Sequence, residues 1–137
     1  MKLLLDTNIL LDVLMEREPF YELSLRIWNS CANKKFTGCI SSLSFANMVY
    51  NMIKQLTPVK IEKLAEQMCK IFEFADLNST DITQAAQMRW NDFEDALQSA
   101  AAERVNADYI ITRNVKDFEQ SNIKALTSED FLDLNYK

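Results

Sequence analysis

Residues 3–12 read LLLDTNILLD, and they decide the fold. Lys2 to Leu5 is a short apolar run with the character of a buried strand, whereas Asn8 to Met15 places Ile9, Leu10, Val13 and Leu14 at helical spacing. A strand therefore runs into a helix with only Asp6 and Thr7 between them. A carboxylate at that junction has two readings. Its oxygen can cap the helix that follows, or it can stand at the carboxyl edge of a sheet, where α/β domains place their ligands.

The rest of the chain repeats the alternation. Pro19 suits the first turn of a second helix, and Phe20, Leu23, Ile27, Trp28 and Cys31 continue it to about Asn33. Phe36 to Ile40 reads as a strand, and Ser41 or Ser42 can cap a third helix to about Leu56. Thr57 and Pro58 mark a break before a fourth helix carrying Ile61, Leu64, Met68 and Ile71, and Phe72 to Leu77 is a plausible third strand. Thr80 or Asp81 opens a helix to about Trp90, and Asp92 caps another from Phe93 to Val105, with Asn106 as a left-handed terminus in place of glycine. Tyr109 to Ile111 is the most strand-like run after the first. Ile123 to Leu126 reads as a last strand, and Thr127 with Asp130 resembles a capping box for a terminal helix. Strands alternating with helices predict an α/β domain with a central, mostly parallel sheet of four or five strands.

Composition narrows the function. With 137 residues, 48% of them hydrophobic, one glycine and two prolines, the chain predicts a single domain over 1–137 with no internal linker. Twenty acidic and 15 basic residues give a net charge of −5, which argues against a surface built to coat nucleic acid and leaves room for an acidic pocket neutralised by a cation. There is no histidine, so acid–base work falls to carboxylates or to metal-activated water. Cys31, Cys39 and Cys69 are odd in number and set among apolar residues, which predicts reduced core thiols in a cytoplasmic protein. The apolar run before Asp6 is too short for a signal peptide, and no segment has the length of a membrane span.

Candidate chemistry gathers at three places. Asp6 follows the first strand, "NDFEDAL" at 91–97 puts Asp92, Glu94 and Asp95 in the first turn of a helix, and "TRNVKDF" at 112–118 follows a later strand with Thr112, Asn114 and Asp117. One helix needs one cap, so Asp92 suffices there and Asp95 is left for another role. If the strands ending at Leu5 and Ile111 are neighbours, these carboxylates converge, and their repulsion calls for a hard cation such as Mg²⁺ or Mn²⁺. Such a cation activates water and stabilises charge on a phosphate oxygen, which makes a phosphodiester the natural substrate.

Taken together, "LLLDTNILLD", "ISSLSFANMVYNM", "DFEDALQSAAAERVNADYIITRN" and "KDF" closely resemble the PIN domain, especially its VapC-like toxin branch, from Lys2 to about Leu134. The resemblance implies a three-layer PIN-like fold and a metal-dependent endoribonuclease acting on RNA. It also implies frequent dimerisation and a role as the toxin of a pair whose partner is an antitoxin protein. By matching motifs, Asp6 falls on the first family aspartate, Asp95 on the aspartate of the late helix and Thr112 on the hydroxyl after the fourth strand. Asn47 stands where the family usually has glutamate, and Asn114 where many members have aspartate. Amides can ligate a hard cation but cannot serve as bases. Asp117 and Glu94 are the carboxylates placed to supply missing charge. The resemblance thus gives Asp6, Asp95 and Asp117 as metal ligands, with Thr112, Asn114 and Asn47 orienting ligands or water.

Arg113 and Lys116 are candidate phosphate contacts. Asp12 reads as support for the pocket or as surface, and Trp28, Met48 and Met52 read as core or dimer interface. Two other readings remain open. One is a PIN-like domain that has lost turnover and binds RNA or protein. The other is a phosphatase using Asp6 as nucleophile, disfavoured because Asn8 stands where that chemistry wants a second aspartate.

Overall fold

The structure, a computed structural model, describes residues 1–135. Five strands, β1 (Lys2–Leu5), β2 (Thr37–Ser41), β3 (Glu73–Ala75), β4 (Tyr109–Ile111) and β5 (Ala125–Leu126), form one parallel sheet in the order β3-β2-β1-β4-β5. Seven helices flank it: α1 (Thr7–Leu14), α2 (Tyr21–Ala32), α3 (Ser42–Asn51), α4 (Pro58–Ile71), α5 (Ser79–Met88), α6 (Phe93–Arg104) and α7 (Ser128–Asn135). The predicted α/β class and three-layer arrangement, a parallel sheet with helices on both faces, are what the chain adopts.

Two-residue alternation sorts the core into layers. Leu3, Leu5, Ile40, Ile111 and Leu126 face one side, where they pack with residues of α1, α2, α3, α4 and α7. Leu4, Cys39, Ile110 and Ala125 face the other, against Ala101 and Ala102 of α6. The small side chains of α6 also let α5 approach through Ala85, Ala96 and Ala100. Gly38, the single glycine, is needed for close packing: a Cβ there would lie 2.7 Å from both Cys31 Sγ and Phe72 Cδ1.

Several boundaries differ from expectation for local reasons. The second helix begins at Tyr21 rather than at Pro19, because Phe20 N–H closes a turn onto the Arg17 carbonyl at 3.0 Å and the proline lies inside that turn. The third helix ends at Asn51, and Ile53–Gln55 forms a tighter 3-10 turn before Thr57 caps α4. Asn78, not Thr80 or Asp81, caps α5, with Asp81 completing a capping box. Asn106 does take the left-handed conformation, at φ 57°. Trp28 is partly buried edge-on against Phe72, and Met48 and Met52 are buried, so all three belong to the core. Cys31 and Cys39 are buried thiols, but Cys69 is exposed on α4, contrary to the core reading, because it lies about 100° around the helix from Met68, the residue of α4 that is buried. Among the described residues no helix is long and apolar enough to cross a membrane.

Candidate functional site

The strand order places a switch between β1 and β4. From β1 the chain builds outward through β2 and β3, then crosses back to add β4 and β5 on the other side. A crevice opens at the carboxyl ends of two strands whose connections leave in opposite directions. Asp6 follows β1 and Thr112 follows β4, and Asp6 N–H bonds the Ile111 carbonyl at 3.0 Å, so the sheet itself registers the two residues.

Asp6 is both the cap and the cleft carboxylate. Its Oδ1 accepts from Thr7 N–H at 2.8 Å, capping α1, and its Oδ2 accepts from the Thr112 hydroxyl at 2.8 Å. The same hydroxyl oxygen accepts from Asn114 N–H at 3.0 Å, so Thr112 also shapes the loop after β4. Burial pushes the Asp6 carboxyl above its ordinary range, opposed by the Thr112 and Thr7 donors and by the positive charge of Arg113.

On the far side of the cleft, Asp92 caps α6 by accepting from Asp95 N–H at 3.2 Å, which turns Asp95 inward. Asp95 is pushed up to about 7 by burial and by the negative charges of Asp92, Asp6, Asp117 and Glu94. Asp6, Asn47, Glu94, Asp95, Asn114 and Asp117 all line one open cleft of about 450 Å³. Asn47 donates its amide to Glu94 Oε1 at 2.7 Å, bringing a carboxylate of α6 to the position occupied by the α3 amide. Asp117 enters from a 3-10 turn over Val115–Phe118.

Beneath the cleft runs a polar chain with no counterpart among the predicted site residues. Thr7 donates its hydroxyl to Ser44 Oγ at 2.9 Å, and Gln98 Nε2 donates to the same oxygen at 2.6 Å. It ties α1, α3 and α6 together. The one sequence signal for it is a glutamine inside the alanine-rich face of α6. Arg17 also lines the cleft and was not among the expected residues.

Arg113 takes a different place from the one expected. Its Nε lies 3.2 Å from Asp12 Oδ2, an ion pair without hydrogen-bond alignment, and its guanidinium sits 4.1 Å from the Phe20 ring centroid, outside the carboxylate cleft. Asp12 is fully buried rather than at the surface, because Arg113 and the Ser24 hydroxyl, at 3.2 Å, meet it there. Lys116 does reach the site, on its second side, where a basin of about 380 Å³ shares Asp92, Asp95 and Asp117 with the cleft.

Among the described residues no three carboxylates or cysteines are drawn together into a ready-made metal cluster. The donor set nevertheless fits a hard cation: Asp95 is raised by burial and then by four neighbouring acids, and a divalent charge would relieve that repulsion. Ligands spaced around an open cleft suit an ion that keeps several of its waters, as Mg²⁺ does.

Fold and cleft together define a parallel α/β domain that gathers carboxylates at its switch point. The chain belongs to the PIN-domain family, whose model matches residues 2–116. Similar solved structures include FitAcB from Neisseria gonorrhoeae, with TM-score 0.69 and 18% identity over 93% of this chain and 98% of that one. VapBC2 from Rickettsia felis bound to a promoter DNA fragment gives TM-score 0.67 and 20% identity over 93% and 98%. VapC20 from Mycobacterium tuberculosis, a Sarcin-Ricin loop cleaving toxin, gives 0.64 and 12% over 79% and 86%. A search of curated protein sequences returned no match.

Proposed function

We propose that this PIN domain is a divalent-metal-dependent endoribonuclease and the toxin partner of an antitoxin protein. The observation that supports it most is geometric: Asp6, Asp95 and Asp117, carried by separate elements, line one open cleft, where burial and the surrounding acids raise Asp95 to about 7. Asp6, Asp95 and Asp117 would hold the cation, with Glu94 adding the charge that Asn47 lacks. When bound, Mg²⁺ or Mn²⁺ supplies a water of lowered pKa and neutralises charge on the phosphate.

The chain's own groups do the rest. Thr112 and Thr7 fix the Asp6 carboxylate by donating to its two oxygens. Arg17, on the rim of the cleft, is positioned to meet a phosphate oxygen. Asn47 and Asn114 orient ligands or water through their amides. The toxin role draws on the structural neighbours, among them a toxin–antitoxin complex from Klebsiella pneumoniae at TM-score 0.70 and 19% identity.

A second reading, a PIN-like module that binds RNA or protein without turnover, is favoured by the two amides and by the lack of a compact ligand cluster among the described residues. Incubation of single-stranded RNA with the native chain and Asp6→Asn, in Mg²⁺ or Mn²⁺ and in EDTA, separates the two. Cation-dependent cleavage abolished by Asp6→Asn supports the nuclease. RNA binding without cleavage supports the module.

A further inference from the structure

The carboxylates form a ridge with space on both sides. Asp92, Asp95 and Asp117 line the 450 Å³ cleft on one side and the 380 Å³ basin on the other. Each space falls within the range of small-molecule sites, about 300–1,000 Å³. The two differ in their cations: Arg17 borders the first, Arg89 and Lys116 the second.

Arg89 and Lys116 are exposed, and among the described residues neither side chain has an ion-pair or hydrogen-bond partner, whereas Lys2, Arg104 and Arg113 all pair with carboxylates. Their surroundings are built rather than loose. Trp90, between Arg89 and Asn91, is partly buried and meets Phe118 edge-on at 6.2 Å, so the rim carrying Arg89 is anchored to the turn carrying Lys116. The basin also holds four acids, Asp92, Asp95, Asp117 and Glu119, so in a chain of net charge −5 these two uncommitted cations supply the positive charge that an anion entering it would meet.

We propose that the second basin is a subsite for the nucleotide flanking the scissile phosphate, with Lys116 and Arg89 holding its phosphate on a single RNA strand. This rests on the nuclease reading. A strand whose reacting phosphate lies over the ridge places one neighbour in each space. Bending over that ridge suits single-stranded RNA, as in a loop, and excludes a stiff duplex.

The test uses a 2′-O-methyl RNA oligonucleotide, which resists cleavage, with Mg²⁺ present, and measures binding to the native chain, Arg89→Gln, Lys116→Gln and Lys63→Gln across a salt series. Lys63 is exposed on α4, away from both spaces, and controls for net charge. Arg89→Gln and Lys116→Gln should each weaken binding about 3- to 10-fold at low salt and lower the log–log salt slope by about 0.7, the single-strand value per phosphate contact. With cleavable RNA the loss should fall on KM, with kcat changed less than about 3-fold. Native-like binding and slope in both variants, or an equal loss in Lys63→Gln, overturns the subsite while leaving the nuclease reading intact. Failure of the native chain to bind or cleave the RNA overturns both.

Discussion

The Thr112 hydroxyl donates to Asp6 Oδ2 at 2.8 Å, joining the ends of two neighbouring parallel strands that lie 106 residues apart in the chain. The bond keeps a buried carboxylate closer to its charged form, and the same Thr112 hydroxyl oxygen accepts from Asn114 N–H, so a single side chain organises the acid and the loop beside it.

Thr112→Val keeps the shape and removes the donor. Asp6 then protonates at higher pH, so the acid limb of the cleavage–pH profile should move upward. Activity at neutral pH should fall about 10- to 100-fold, the usual cost of losing a residue that orients a metal ligand. Thr112→Ser should restore both. An unshifted profile in Thr112→Val contradicts this role.

Without metal, the cleft should make stability depend on pH. Asp95 is raised from 3.8 to about 7, and Asp6 and Asp12 are raised as well. A carboxyl whose folded value exceeds its unfolded value binds protons more tightly when folded, so its contribution favours folding at low pH and is lost as pH rises between the two values. In EDTA, Tm should therefore decline from about pH 4 to pH 7, and Asp95→Asn should flatten the upper part of that decline. Millimolar Mn²⁺ should recover the loss at pH 7.5.

Much of this architecture was legible in the sequence, because strands with apolar runs and helices with capped starts carry local signals. The pairing of β1 with β4 stood in the sequence only as the condition for the acids to converge, and the parallel ladder between them meets it. What escaped was non-local. Nothing in the stretch RNVK distinguishes Arg113, which turns back to Asp12 and Phe20, from Lys116, which reaches the second basin. Likewise Ser44 and Gln98 look like ordinary helix residues until folding brings both to one buried contact. β2, β3 and β5 begin at Thr37, Glu73 and Ala125 rather than at Phe36, Phe72 and Ile123, because aromatic and branched residues also serve as core outside the ladder.

Removing Asp12 should destabilise the chain. Asp12→Ala leaves the Ser24 hydroxyl without its buried acceptor and the Arg113 guanidinium without its opposite charge. The cost should be on the order of 2 kcal/mol in urea unfolding, with Asp12→Asn milder because an amide oxygen still accepts. A neutral Asp12→Ala contradicts the pairing.

Glu94 should act as the substitute for the acid absent at position 47. Its contact with Asn47 at 2.7 Å holds it over the cleft. Glu94→Gln should weaken Mn²⁺ binding about 10-fold, whereas Glu129→Gln, an exposed acid outside the cleft, should leave it unchanged. Equal affinities in the two variants would remove Glu94 from the site.

The most direct test is calorimetric titration of Mn²⁺ into the metal-free native chain and into Asp6→Asn at neutral pH. A single cation site in the native chain, with proton release and with binding lost in Asp6→Asn, is the predicted result. No binding in the native chain, or undiminished binding in Asp6→Asn, contradicts a cation site anchored on Asp6.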